Sequence, residues 1–387
     1  MLSFELPEEI EILRKSVRDF AENEIKPKAK ELDEKEEFSV ELTKKMAELG
    51  LFGVFVPQEY GGAGMSYLAF VVAVEEIARI DGSQAATVAA GNSLGIAPIY
   101  YFGNEKQKKE WLPSLCRGEK LAAFGLTEPE AGSDAGASRT TAELKDGYWI
   151  INGQKIFITN SACELTGVII VQARTGARSD GKIELSCILV PSGTPGFTAL
   201  SMKEKMMWRA SNTGQLFFED CKVPQENLIG QKGAGFKQML QTLDGGRLSI
   251  GAMALGGAQG AYEIALEYAK QRKQFGQPIS KFQAISFKLA DMATKIEAAR
   301  WLLYRATWLR DSKRPFGKEA AMAKLFASEV FKEVVHDAVQ IFGGYGLMKE
   351  YPIERFYRDE RLLEIGEGTS EIQRLVIARR IGCYDEE

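Results

Sequence analysis

Apolar residues recur at helical spacing near both ends of the chain and alternate with polar ones in the middle. Ile10, Leu13, Val17 and Phe20 lie three or four residues apart, and FVVAVEEIARI (70–80) is a second strong helical pattern. PQEYGGAGMS (57–66) reads as a glycine-rich connector between helices. The signal then changes to strands. GYWIINGQKIFITN (147–160) predicts a hairpin turning at Asn152-Gly153, a type I′ pair, and IELSCILVP (183–191) and GQLFFEDCKVP (214–224) predict further strands. Helices return in FQAISFKLADMATKIEAARWLLYRATWLRD (282–311), where Ile285, Leu289, Met292, Ile296 and Leu303 share one face. The expected order is helical, β, helical, and the seam between the β block and a helical block is a natural place for a cofactor.

Composition narrows the function without naming it. The 387 residues are 45% hydrophobic and 26% charged with net charge -4, long enough for two or three packed domains. The acidic balance gives no footprint for nucleic acid, and no apolar run is long enough to span a membrane. The N-terminal stretch is acidic and amphipathic, unlike a secretory signal or an Arg-rich transit peptide, so the cytoplasm is expected. The five cysteines are far apart with no C-x-x-C, and the single histidine, His336, sits in a helical pattern and reads as structural. A Ser-His-Asp triad or a multi-histidine metal site is thereby disfavoured, and no metal is expected. A carboxylate or a cofactor must carry any chemistry.

Four stretches are candidates. In LLEIGEGTSEIQR (362–374), Glu367 sits between glycines before a predicted helix start. Ser370 with Gln373 makes a capping box, and Glu367 is then either a solvated acid at the positive helix end or a functional carboxylate. AFGLTEPEAGSDAG (123–136) offers glycine-freed N–H groups and the hydroxyls of Thr127 and Ser133 to a phosphate or flavin edge; the alternative is a flexible acidic loop. KQRKQFGQPISKFQAI (270–285) ends a helix with Arg272, and Gly343-Gly344 breaks another where backbone can approach a ligand. GAMALGGAQGAYEIA (251–265) lacks a preceding strand and the dinucleotide-binding spacing, so close helix packing is the better reading.

Taken in this order, these stretches resemble the acyl-CoA dehydrogenase family over essentially the whole chain. The resemblance implies an α+β multidomain fold: an N-terminal helical domain (1–119), a middle β-barrel-like domain (120–231) and a C-terminal four-helix bundle (232–387), assembled as a homotetramer. It implies FAD between the β domain and the C-terminal bundle, an acyl-CoA substrate, and an electron-transferring flavoprotein as partner. Phe124, Leu126, Thr127, Gly132 and Ser133 match the loop around the flavin, Ser133 being shared with substrate. Phe157, Ile158 and Thr159 match the segment covering the flavin face. Arg272, Phe275, Gln283, Gln340, Gly343 and Gly344 match residues offered to the FAD of a neighbouring subunit. Asp244 and Arg247 match contacts to CoA, Gly366 and Gly368 border the substrate, and Thr369 and Glu371 flank the flavin. Glu367 matches the base.

Two departures bear on specificity. Most relatives carry Tyr just before the base, where this chain has Gly366; some place the base at the position of Gly246, where a glycine cannot serve. Between Arg79 and Lys106 there is no Lys or Arg to hold a distal carboxylate, so a dicarboxylic acyl group is disfavoured, and Ala89, Ala90 and Gly91 suggest an apolar pocket. Gly366 either widens the pocket beside the thioester for short, branched or cyclic acyl groups, or leaves a gap filled by another side chain such as Tyr345. The rival functions are an acyl-CoA oxidase, which usually carries a further C-terminal helical domain, and a non-catalytic flavin-loaded scaffold, which would be expected to lose the base.

Overall fold

The computed structural model describes residues 5–177, 181 and 183–384. The N-terminal region is helical. α1 (Glu8–Phe20) passes through one wide turn into α2 (Lys26–Lys35), and α3 (Val40–Glu48), α4 (Tyr67–Ala78), α5 (Gly82–Ala90), α6 (Ala97–Phe102) and α7 (Glu105–Cys116) follow. The expected face of α1 is the buried one: Ile10 and Val17 are fully covered, with Leu13 and Phe20 packed against the same core. α4 is apolar on nearly every side and buried along its whole length, the position such a helix must take.

The middle of the chain forms one mixed sheet. Its strands are β1 (Leu121–Gly125), β2 (Thr141–Lys145), β3 (Tyr148–Thr159), β4 (Thr166–Ala177), β5 (Ile183–Pro191), β6 (Phe197–Ser201), β7 (Thr213–Pro224) and β8 (Leu228–Ile229). The order β6-β7-β3-β2-β4-β5-β8, with β1 alongside β4, leaves the sheet open rather than closed into a barrel. Its core is its own, built from residues such as Trp149, Ile151, Ile169, Val171, Ile188 and Phe218.

The hairpin expected over 147–160 does not form, because Tyr148–Thr159 is one strand, β3, and the chain reverses before it rather than within it. β2 pairs with β3 through Asp146-Gly147, whose φ values of 48° and 79° are those of a type I′ turn. Asn152-Gly153 lies inside β3, at a register shift against β7. There the Asn152 amide donates to Asp220 Oδ1 at 3.0 Å and its oxygen accepts the Asp220 N–H at 2.8 Å, so the asparagine ties two strands together.

The C-terminal region is a helical bundle: α8 (Gly235–Gln271), α9 (Gln283–Asp311), α10 (Gly317–Phe342), α11 (Ile353–Leu363) and α12 (Ser370–Arg380), with a small hairpin of β9 (Lys273–Gln274) and β10 (Gln277–Pro278) after α8. Leu289, Met292, Ile296 and Leu303 of α9 are buried as the spacing predicts. The glycine-rich part of α8 serves packing: β-carbons on Gly256 and Gly260 would collide with the Glu75 and Arg79 carbonyls of the neighbouring chain segment. The N-terminal helices and the bundle therefore share one apolar core, and no helix among the described residues is long and apolar enough to cross a membrane.

One buried ion pair shapes the loop between β1 and β2. Lys155, fully buried on β3, donates to Glu128 Oε1 at 2.7 Å and to the Leu126 carbonyl at 3.1 Å. Glu128 also accepts from Ser138 Oγ at 2.5 Å and from the Arg139 and Thr140 N–H groups. Burial alone would raise the Glu128 carboxyl, but Lys155, Ser138 and the Arg139 N–H together hold it down to about 2. Far from being a free acidic loop, residues 126–140 are clamped from below. Lys155→Met should strand a buried carboxylate and cost roughly 3–5 kcal/mol in urea unfolding at neutral pH, with much of it recovered in Lys155→Met/Glu128→Gln. Because the folded carboxyl titrates below its ordinary 4.5, the pair's contribution is full above that pH and disappears as pH falls towards 2. A single variant as stable as wild type would refute the clamp.

Candidate active site

α11 ends at Leu363, and the chain makes a short loop before α12 begins at Ser370. Glu367 and Gly368 both lie in the left-handed region, with φ of 51° and 95°. For a non-glycine residue that is a strained conformation, found where the surroundings impose it. Two side chains do so. Gln373 donates its amide to the Glu367 and Gly368 carbonyls at 3.2 and 2.7 Å, and Lys324 of α10 donates to the Gly368 carbonyl at 2.8 Å.

The capping box expected at Ser370 is accordingly not formed. Thr369 is the N-cap and accepts the Ile372 N–H at 3.3 Å. Gln373 is drawn away to the loop carbonyls, and the buried Ser370 hydroxyl has no partner.

The Glu367 carboxylate reaches across to α8. A β-carbon on Gly246 would collide with its Oε2, so position 246 must be glycine for the carboxylate to lie there. Asp244 and Arg247 form an ion pair one turn apart, flanking that opening. The phenol of buried Tyr67 donates to the Gly245 carbonyl at 3.1 Å, beneath the Arg310 guanidinium 3.6 Å from its ring centre. Glu367 Oε2 is buried with no hydrogen-bond partner. Burial pushes the Glu367 carboxyl up to about 7, against the opposing pull of Lys324 and Arg247. Such a group is poised to take a proton near neutral pH.

The other predicted positions fall into two places. Phe124 is buried at the end of β1, Leu126 and Thr127 are half-buried, and Gly132 and Ser133 are exposed on the loop that follows. The Thr127 carbonyl accepts the Ile156 N–H at 2.9 Å, which joins this loop to β3. On β3, Ile158 is buried and Thr159 half-buried, while Phe157 is left-handed (φ 61°) and 63% exposed. An exposed aromatic in a strained strand conformation, beside exposed backbone and hydroxyls, fits a flat cofactor such as a flavin.

The second place is separate. Arg272, Gly343 and Gly344 line a cavity of about 490 Å³ with Tyr268, Phe342 and Tyr345, and no residue of the Glu367 loop lines it. Phe275, 93% exposed, and the exposed Gln283 and Gln340 stand outside that lining. Tyr345 packs over Arg272 and against Tyr351, with 5.6 Å to each. The atoms nearest to a β-carbon on Gly366 would be those of Leu362, at 3.4–3.7 Å, an ordinary contact distance. Ala89 and Gly91 are buried, Gly91 directly against the Phe52 ring. Glu371 is exposed in the first turn of α12.

Lys324, Gln373 and Tyr67 are the site residues that sequence reading did not assign. Lys324 left one trace, a lone charge on the otherwise apolar face of AAMAKLFAS (320–328).

Comparison with known proteins gives the family. The models of the acyl-CoA dehydrogenase N-terminal, middle and C-terminal domains match residues 7–119, 123–221 and 233–382. A probable acyl-CoA dehydrogenase of Bacillus subtilis (strain 168) is 52% identical over 380 residues, covering 98% of this chain and 100% of the relative. The butyryl-CoA dehydrogenase of Megasphaera elsdenii superposes with a TM-score of 0.95 at 43% identity, covering 98% of this chain and 100% of that one. A chain solved in work on the electron-transferring flavoprotein of Acidaminococcus fermentans matches with a TM-score of 0.95 at 45% identity, over 98% of this chain and 100% of that one. Fold, sequence and matched domains agree, and the chain belongs to the FAD-dependent acyl-CoA dehydrogenase family.

Proposed function

We propose that this acyl-CoA dehydrogenase converts a short monocarboxylic acyl-CoA to its 2-enoyl-CoA, with Glu367 as the α-proton base. The observation that carries the reading is the unpartnered, buried Oε2 of Glu367, raised to about 7 and laid over the glycine gap at Gly246. The α-proton passes to that oxygen as the β-carbon loses a hydride and the carbon–carbon double bond forms. Bound FAD supplies the two-electron acceptor for the hydride. Residues 124–133 and 157–159 would hold it, with Thr369 and Glu371 at its edge. No acceptor among the described residues takes the Glu367 N–H, which leaves it free to polarise the thioester carbonyl as charge develops. Asp244 and Arg247 would receive CoA. An electron-transferring flavoprotein is the proposed acceptor, in keeping with the relative solved in work on such a protein.

Glu367→Gln should retain FAD and lower turnover by at least about 10²-fold, measured anaerobically with an artificial dye as acceptor. It should also abolish the loss of kcat/KM that wild type shows as pH falls below about 7. The same substitution should stabilise the protein at alkaline pH. A carboxyl raised in the folded state favours folding below its ordinary 4.5, and that advantage is lost as pH rises through about 7. Near-normal turnover by this variant with every substrate tried would remove Glu367 from the reaction.

Substrate width turns on Gly366. Tyr345 is engaged at Arg272 in the separate cavity, which supports reading the space beside the base as unfilled by that ring. Branched or alicyclic short acyl-CoAs should be preferred to octanoyl-CoA in kcat/KM, and Gly366→Tyr should shift preference towards straight chains. A clear octanoyl-CoA preference in wild type would end the wide-pocket reading.

Assembly is the third test. The Arg272 cavity lies apart from the base, as expected if it serves the FAD of a neighbouring subunit in a tetramer. Arg272→Ala should release FAD on dilution more readily than wild type. A fully FAD-loaded monomer in solution would refute the shared site.

A further inference from the structure

The inward face of α10 is built from small and apolar residues: Ala320, Ala323, Ala327, Val330, Val334 and Ala338 are all buried. Lys324 interrupts it. Its side chain is completely buried, yet no carboxylate among the described residues lies within ion-pair distance of its ammonium, which donates only to the Gly368 carbonyl at 2.8 Å. Taking an ammonium out of water with one neutral acceptor is unfavourable, and a methionine would fill such a space without that cost. The carbonyl it holds belongs to the second of two consecutive left-handed residues, and the first of them is Glu367.

We propose that Lys324 is a positioning residue for the base: its buried ammonium ties the left-handed loop to α10 through the Gly368 carbonyl and supplies the positive charge against which the Glu367 carboxylate ionises. The proposal rests on the assignment of Glu367 as base.

The surroundings single out this charge. From α8, Arg247 faces the carboxylate but is committed to Asp244. From the end of α11, Glu364 faces Lys324 but is paired with Arg361 and Lys332. From α12, Glu371 faces Lys324, and Arg380 acts on the Asp244–Arg247 pair. From α4 and α9 come the Tyr67 phenol and the Arg310 guanidinium that covers it. Among these groups Lys324 is the cation bonded to the loop itself, through the carbonyl next to Glu367, and it has no ion pair among the described residues; Glu367 Oε2 is buried with no donor. Burial lowers the Lys324 ammonium to about 8, with Glu367 the largest influence opposing that fall, so it remains mostly charged at neutral pH. Gln373 also holds the Gly368 carbonyl, together with that of Glu367, so the loop keeps part of its support when Lys324 is changed.

Two variants separate the clamp from the charge. Lys324→Gln keeps a donor and removes the charge; Lys324→Met removes both at similar volume. The FAD-loaded enzyme is assayed for kcat/KM against pH with butyryl-CoA, and amide hydrogen exchange is followed over residues 366–372. Both variants should move the acidic limb of the profile upward by about one pH unit, the scale of an opposite charge near a carboxylate. Lys324→Met should in addition exchange faster in that loop, while α8 and α9 stay protected. A purely structural lysine would lower thermal stability and leave the limb where it is. An unmoved limb in Lys324→Gln overturns the electrostatic role even if Lys324→Met does not fold, and unchanged loop exchange in folded Lys324→Met overturns the clamp. Failure of the base assignment itself would show differently, as retained turnover in Glu367→Gln, and the exchange measurement would still report on the clamp.

Discussion

The site depends on holding one carboxylate dry without giving it a partner. Water around Glu367 would return its carboxyl towards the ordinary range, and a direct salt bridge would hold it ionised and lower its basicity. The structure avoids both. Helix α8 narrows to glycine at position 246 so that the side chain can lie against it, and the loop is fixed through its carbonyls rather than through the carboxylate. Cations are present, but Arg247 is spent on Asp244 and Lys324 is bonded to backbone. The result is a carboxyl near neutrality in a pocket that does not quench it, the condition the proposed base needs.

That arrangement explains why the helical regions must share a core. The wall opposite the loop is α8, and α8 is positioned by α4 on one side and α10 on the other. Small residues at Gly256, Gly257 and Gly260 bring the helices into contact with Glu75, Phe331 and Arg79. Packing at this distance transmits small shifts, since interiors are dense and give little. A substitution at these glycines would move the wall of the site, far from the carboxylate itself. On the other side, Lys155 and Glu128 fix the loop after β1, so the surface assigned to the flavin rests on a buried ion pair rather than on loop composition.

Much of this was legible in the sequence, for identifiable reasons. Periodicity located the helices of both ends because their apolar faces are long, and the strands because alternation is strong. What failed was local punctuation. Asp146-Gly147 and Asn152-Gly153 are both good type I′ sequences, and only pairing with β7 decides between them. Gln373 can cap a helix or hold a loop, and the left-handed pair before it decided. Lys324 and Lys155 could not be assigned from sequence because their partners lie 44 and 27 residues away. Glu367 itself was found by its resemblance to a family motif; its unusual environment comes entirely from segments distant in the chain.

The central claim is that Glu367 removes the α-proton, and isotope exchange tests it without relying on the overall turnover. With butyryl-CoA in D₂O under anaerobic conditions and no electron acceptor, deuterium at the α-carbon can be followed by NMR. Wild-type protein should introduce deuterium at that carbon at a rate that rises with pH through about 7, and Glu367→Gln should not. Exchange by Glu367→Gln at the wild-type rate would contradict the account.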